Sequence, residues 1–149
     1  MSLPLFRPDN WLPEGHHAAS WEDIEAVFGG EPNSLRRTVW TRLLAWRDAA
    51  WVKGLSGQVV LNGSFISAKD TPGDFDLLFL YDANSEIIVQ RDAEALALID
   101  PIQCKTLFGG DVFACSAAIA QTYPQFFATD TFDRIKFSNV KKGVVEVDL

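Results

Sequence analysis

The sequence has few cysteines and no long apolar run, and each absence narrows the class of protein. Cys104 and Cys115 form no CxxC motif and have no nearby histidine, which argues against a structural zinc site and for reduced thiols in a cytoplasmic protein. No stretch approaches the roughly 18 apolar residues that a membrane span requires. The first residues lack the basic segment and apolar run of a secretory signal, which also indicates a cytoplasmic location.

Basic residues are also in short supply. The 149 residues include 13 Lys and Arg against 20 Asp and Glu, a net charge of -7. Proteins that neutralise nucleic-acid phosphates over a long surface usually carry the opposite balance, so extended nucleic-acid binding is not expected. Hydrophobic residues make up 48% of the chain, with five Trp and eleven Phe, which excludes general disorder and suits one domain over residues 1–149.

The N-terminal third divides into an irregular arm and a helical region. Three prolines and a glycine predict that residues 1–19 form the arm, and residues 20–53 are predicted to be helical. Ser20 and Asp23 have the spacing of a capping box, so a short helix begins there. The pair Gly29-Gly30 is expected to end it.

A second helix is predicted from Asn33 or Ser34 to about Lys53, because apolar residues recur at three- and four-residue steps along it. Its basic residues fall mostly off the apolar face, and a solvated flank is the favoured interpretation, with an acceptor-binding ridge as the alternative. These residues are Arg36, Arg37, Arg42 and Arg47.

Residues 58–149 are predicted to form the sheet core of a mixed α/β (α+β) domain, a small sheet flanked by helices. The expected strands are 58–62, 74–81, 111–115 and 143–149. The expected helices or helical turns are 65–69, part of 85–99 with Pro101 as the stop, and 123–132.

The chemistry is concentrated in the segment LNGSFISAKDTPGDFDLLFL. Asp74 and Asp76 are two residues apart at the head of a predicted strand, so both carboxylates are expected on one face. Two anions that close repel unless a cation lies between them, and Mg²⁺ or Mn²⁺ prefers carboxylate oxygens. The alternative is that both aspartates only cap loop N–H groups.

Gly63 and Ser64 follow the preceding strand and open a helical turn. Glycine allows a phosphate to approach the backbone, while the N–H groups of the turn and the Ser64 hydroxyl are donors for it. A simple helix cap is the alternative for Ser64. Lys69 lies between this turn and the aspartates, where it either contacts a phosphate or is a solvated loop lysine.

The order of these motifs, Gly63-Ser64, a short helical turn, then Asp74-x-Asp76 on a strand, resembles the signature of the DNA polymerase beta-like nucleotidyltransferase superfamily. That superfamily takes a third carboxylate from a later strand, and Asp111, the first residue of DVFAC, is the best match. The opening and closing segments of the chain are also similar to those of short bacterial members. The connection between Ser64 and Asp74 is shorter than in many members, and the large helical domain of bigger relatives is missing.

The resemblance implies a nucleotidyltransferase-like fold and a two-metal reaction. Asp74 and Asp76 would hold Mg²⁺ on a nucleoside triphosphate, with ATP the expected one, and Asp111 would hold a second ion near the attacking hydroxyl. The acceptor would be a small molecule, a protein or an RNA end. A protein partner is implied because minimal relatives often work in pairs, including toxin–antitoxin pairs. The alternative function is a non-catalytic nucleotide-binding or regulatory module.

Overall fold

The computed structural model describes residues 3–122 and 142–149 of the chain. Within these residues, helices flank a five-stranded mixed sheet, which confirms the predicted fold class. The strands are β1 Gly15–Ala18, β2 Gly57–Asn62, β3 Asp76–Tyr81, β4 Asp111–Ser116 and β5 Gly143–Asp148. The helices are α1 Trp21–Phe28, α2 Leu35–Val52, α3 Ala83–Arg91, α4 Ala93–Ala97, α5 Pro101–Phe108 and α6 Ala117–Thr122, with a 3-10 helix at Ser64–Ile66. None of these helices has both the length and the apolar composition to cross a membrane.

The strand order across the sheet is β1-β5-β2-β3-β4. Strand β2 is antiparallel to both β3 and β5, whereas β3 and β4 are parallel, as are β1 and β5. Parallel neighbours need a crossover connection, and α3, α4 and α5 supply it between β3 and β4. The crossover returns the chain so that both strands begin at the same edge of the sheet.

The two N-terminal helices begin where their caps predict. The Asp23 N–H donates to the Ser20 hydroxyl at 3.0 Å, and the Ser20 N–H donates back to the Asp23 carboxylate at 3.0 Å. The Ser34 hydroxyl accepts from the Arg37 N–H at 3.0 Å and caps α2, which ends at Val52. The capping box and the predicted extent of α2 are therefore confirmed.

The prediction that residues 1–19 are wholly irregular is wrong. Residues Gly15–Ala18 form β1 and pair with β5 in parallel, with His16 opposite Val144. The strand is four residues long, and its stability comes from a partner more than a hundred residues away. Neither property leaves a periodic signal in the local sequence.

The prediction of a single helix within 85–99 that Pro101 stops is right about helix content and wrong about the boundaries. Asp82, Asp92 and Asp100 each accept backbone N–H groups and begin α3, α4 and α5 in turn. Pro101 begins a helix instead of ending one, because the first helical residue needs no N–H donor. The helix predicted at 123–132 lies outside the described residues.

The core lies between the helices and one face of the sheet. Alternate residues of β3, Leu77 and Phe79, are fully buried on that face, and Trp46 of α2 packs edge-on against Phe79 at 5.5 Å between ring centroids. Phe75, just before β3, belongs to the same core. Leu78 belongs to a separate small cluster with Val60 and Val144. Because side chains alternate along a strand, Asp76 projects to the side of Leu78, opposite the main core.

Two glycines, Gly109 and Gly110, join α5 to β4 and let the chain pack closely against the core. Gly109 has φ 68° and ends α5 in the left-handed conformation. Gly110 lies against the Phe75 ring so closely that a Cβ at residue 110 would be 2.3 Å from the ring carbon Cζ. The small size of residue 110 therefore allows Phe75 to fill the core beneath the first residues of β3 and β4.

We expect Gly110→Ala to lower the free energy of unfolding by about 1–3 kcal/mol, because the ring or the β4 backbone must move. Urea unfolding followed by tryptophan fluorescence measures the change. Gly73→Ala is the matched control, since nothing lies within 4 Å of a Cβ at residue 73. Equal stability of the two variants would contradict the proposed packing of Gly110 on Phe75.

Candidate metal centre

Two of the predicted site residues meet at the edge where β3 and β4 begin. Asp76 and Asp111 are the first residues of parallel neighbouring strands and are direct partners in the register. The Asp111 N–H donates to the Phe75 carbonyl at 2.9 Å, which fixes that register at its first step. Neighbouring strands lie about 4.8 Å apart, so paired residues that project to the same face have adjacent side chains.

Asp74 joins them from outside the strand. The prediction that β3 begins at Asp74 is wrong, because residues 71–75 have no regular structure and β3 begins at Asp76. Asp74 and Asp76 still lie on one side, since Phe75 between them is directed into the core. One carboxylate oxygen from each of Asp74, Asp76 and Asp111 lies within 4.8 Å of the others. The structure thus brings together all three aspartates that the sequence singles out.

The three carboxylates differ in exposure. Asp76 is 6% exposed, whereas the side chains of Asp74 and Asp111 are 31% and 32% exposed. The site therefore has a buried floor at Asp76 and two walls that solvent reaches. This shape suits an ion that keeps some positions open for water or phosphate oxygens.

Gly63 adjoins the buried carboxylate. A Cβ at residue 63 would lie 2.2 Å from the Asp76 Oδ2, and the backbone has φ 83°, which side chains rarely allow. The Gly63 N–H donates to the Asn62 side chain at 2.8 Å. Asp76 thus lies directly against the turn that begins at Gly63, which we call the glycine turn (residues 63–69). Ser64 is half-buried and begins the 3-10 helix at the next residue.

Arg36 holds this turn from α2. Its guanidinium donates to the backbone carbonyls of Phe65, Ser67 and Lys69, with 3.1 Å to Ser67. It also lies over the Phe65 ring, 5.5 Å from the centroid, and burial lowers the pKa of Arg36. The interpretation of Arg36 as part of a solvated flank is wrong, because the side chain folds back onto the segment that follows Gly63.

Lys69 is placed in a cleft beside this turn. The cleft has a volume of about 310 Å³. Arg36, Glu31 and Asp70 line it together with Lys69, and the three aspartates of the metal centre are not among its lining residues. The Lys69 side chain is exposed, and its backbone carbonyl accepts from Arg36. The structure therefore groups Gly63 with the aspartates and puts Lys69 in a neighbouring depression.

Lys105 is the site residue that the sequence did not indicate. Its Nζ lies 2.5 Å from the Asp74 Oδ2 and 3.5 Å from the Asp111 Oδ1. The hydrogen bond to Asp74 raises the pKa of Lys105, so its ammonium is charged at neutral pH. The signal that could have found it is Pro101. If Pro101 begins a helix that ends at Gly109, Lys105 falls in the last turn of that helix, shortly before Asp111.

The donor set fits a hard divalent cation. Three carboxylates and the Lys105 ammonium lie close together, so the site groups that the structure describes carry more negative than positive charge. Two ligands on opposite sides of one Mg²⁺ are about 4 Å apart, close to the 4.8 Å that contains all three oxygens here. The ammonium of Lys105 already shows that a positive charge is accommodated there.

We expect Arg36→Met to lower the free energy of unfolding by about 1–3 kcal/mol and to increase hydrogen exchange in residues 63–69, because three carbonyls lose a charged donor. Urea unfolding and mass-detected hydrogen exchange measure the two effects. Arg91→Met removes an arginine from the exposed end of α3 and is the control. Exchange in 63–69 that is the same in both variants would show that Arg36 does not hold the turn.

A family described as "Family of unknown function (DUF6932)" matches residues 4–148, which is almost the whole chain. Comparison with curated proteins and with solved structures gave no match. The match includes the glycine turn, the three aspartates and Lys105, so the candidate centre lies wholly inside the family region. The chain belongs to the DUF6932 family.

Proposed function

We propose that the protein is a divalent-metal-dependent nucleotidyltransferase that transfers a nucleotide from a nucleoside triphosphate, with ATP the expected donor, to a hydroxyl acceptor. The observation that carries the proposal is the convergence of Asp74, Asp76 and Asp111 within 4.8 Å. The position of Gly63 against Asp76 supports it, because a glycine turn beside the carboxylates leaves room for phosphates. The motif order in the sequence also supports it, because it resembles that of the polymerase beta-like superfamily.

In this proposal Asp74 and Asp76 would hold Mg²⁺ or Mn²⁺ on the triphosphate, and Asp111 would hold a second ion near the acceptor hydroxyl. When bound, divalent metal would supply positive charge to the phosphates and would lower the pKa of the acceptor hydroxyl. Gly63 and Ser64 position the triphosphate through the backbone and the Ser64 hydroxyl. The hydroxyl oxygen bonds to the α-phosphorus, the bond from that phosphorus to the bridging oxygen breaks, pyrophosphate leaves, and the hydroxyl proton passes to solvent.

The net charge of the chain narrows the class of acceptor. A net charge of -7 disfavours a long nucleic-acid track, so a small molecule, a protein side chain or a single RNA end fits better. A protein partner, as in toxin–antitoxin pairs, and a cytoplasmic location remain predictions from the sequence.

A second candidate is a non-catalytic nucleotide-binding or regulatory module. Lys105 favours it, because an ammonium among the aspartates satisfies part of their charge without a metal. A third reading, in which the aspartates have only a structural role, predicts no metal-dependent ligand binding at all. The three readings differ in two measurements: Mn²⁺-dependent nucleotide binding and pyrophosphate release.

We expect Mn²⁺ with α,β-methylene-ATP to raise the melting temperature, since a ligand at 100 times its Kd adds about 2.7 kcal/mol to stability. Asp76→Asn should abolish this gain, because the buried carboxylate is the floor of the site. Asp48→Asn, which makes the same charge change on an exposed part of α2, should retain it. A gain that survives in Asp76→Asn, or that is absent from the native protein, would refute the metal-site proposal.

We expect ATP labelled at the α-phosphate to leave its label on an acceptor, while pyrophosphate is released in the presence of Mg²⁺. Label at the γ-phosphate should appear only in pyrophosphate, which separates nucleotidyl transfer from kinase activity. Asp111→Asn should reduce turnover by at least a hundredfold, as expected for a group that stabilises charge in the transition state. Nucleotide binding without pyrophosphate release, tested with cell extract as the source of acceptors, would favour the regulatory module over the enzyme.

A further inference from the structure

The Lys105 ammonium lies between Asp74 and Asp111. An ion bound by these two carboxylates would take the same space. Its Nζ contacts Asp74 at 2.5 Å and approaches Asp111 at 3.5 Å, and these two carboxylates are the solvent-exposed walls of the centre. A divalent ion bound by the same oxygens would meet the ammonium at contact distance. The two cations therefore compete for Asp74 and Asp111.

The helix that carries Lys105 is held by its caps and by a buried residue, whereas the Lys105 side chain is half-exposed. Asp100 caps the start of α5, Gly109 ends it in the left-handed conformation, and Cys104 is fully buried beneath it. The Lys105 side chain is 51% exposed, and a lysine has a long flexible stem. The ammonium is thus able to leave the aspartates without any movement of the backbone.

We propose that Lys105 keeps free divalent ions out of the nucleotide-free centre and admits an ion that arrives with a triphosphate. This inference rests on the proposed function and concerns the selection of the ligand by the same site. A free ion must displace the ammonium into water, where it loses its carboxylate partners. A metal–triphosphate complex brings phosphate oxygens that accept the displaced ammonium, so the exchange costs less.

The test compares Mn²⁺ affinities, which are measured from the electron paramagnetic resonance signal of unbound Mn²⁺ in the absence of nucleotide. We expect Lys105→Met to bind Mn²⁺ roughly tenfold more tightly than the native protein, because the competing charge is gone. Lys105→Arg, which retains the charge, should stay close to the native affinity. Lys53→Met is the control: Lys53 also pairs with two carboxylates, Asp92 and Glu94, but outside the centre, so its removal should have no effect.

The second measurement uses the Mn²⁺ complex of α,β-methylene-ATP. We expect Lys105→Met to bind this complex no more tightly than the native protein, because the lost phosphate contact offsets the lost competition. If Lys105→Met tightened free Mn²⁺ and the complex by the same factor, Lys105 would not distinguish them and the inference would be wrong.

The remaining outcomes separate this inference from the proposed function. Equal Mn²⁺ affinity in Lys105→Met and the native protein, with binding lost in Asp76→Asn, would overturn the role of Lys105 and leave the metal centre intact. No saturable Mn²⁺ binding in any variant, including Lys105→Met, would overturn the metal centre itself. Circular dichroism of each variant verifies that the fold is retained.

Discussion

The mutual repulsion of three carboxylates is the constraint that the rest of this structure must satisfy. Asp74, Asp76 and Asp111 present oxygens within 4.8 Å of one another, and one of the three residues is almost fully buried. Charges of the same sign at such distances disfavour the folded state unless a cation compensates them. The fold therefore has to supply enough packing energy at this edge of the sheet to hold the aspartates together. Lys105 places a positive charge beside two of the three carboxylates, Asp74 and Asp111.

The packing comes from the residue between Asp74 and Asp76, whose side chain lies on the core side of the sheet. Phe75 lies between two of the aspartates in sequence and is fully buried, so the hydrophobic core draws this segment inward while its neighbours face the other way. Gly110 allows the ring to lie against the start of β4, and the Phe75 carbonyl accepts the Asp111 N–H. Phe75 thus connects the hydrophobic core to both β3 and β4, the strands that carry Asp76 and Asp111. Two of the three aspartates, Asp76 and Asp111, are positioned by the sheet, and Phe75 anchors Asp74 next to them.

Much of this arrangement could be predicted from the sequence, for identifiable reasons. The capping box at Ser20, the apolar runs of β2, β3 and β4, and the Asp74-x-Asp76 pair are local patterns, and local patterns reflect local physics. β1 could not be found this way, because its four residues depend on β5 for their hydrogen bonds. Lys105 was missed for a different reason: Pro101 can either stop a helix or begin one, and the helix that it begins here carries Lys105.

Arg36 shows why a solvated surface and a functional scaffold are hard to tell apart in a sequence. Helical periodicity places Arg36 off the apolar face of α2, where a long side chain usually reaches water. Here the side chain instead reaches the carbonyls of the turn after Gly63. Those carbonyls belong to a segment with little regular hydrogen bonding of its own, so an outside donor is what satisfies them. The turn at Gly63 is consequently supported from α2, β3 and β4 carry Asp76 and Asp111, and α5 carries the Lys105 ammonium beside Asp74 and Asp111. The backbone that presents each of these side chains is therefore held by contacts outside the candidate centre: the cap of α2, the pairing of β3 with β4, and the cap of α5.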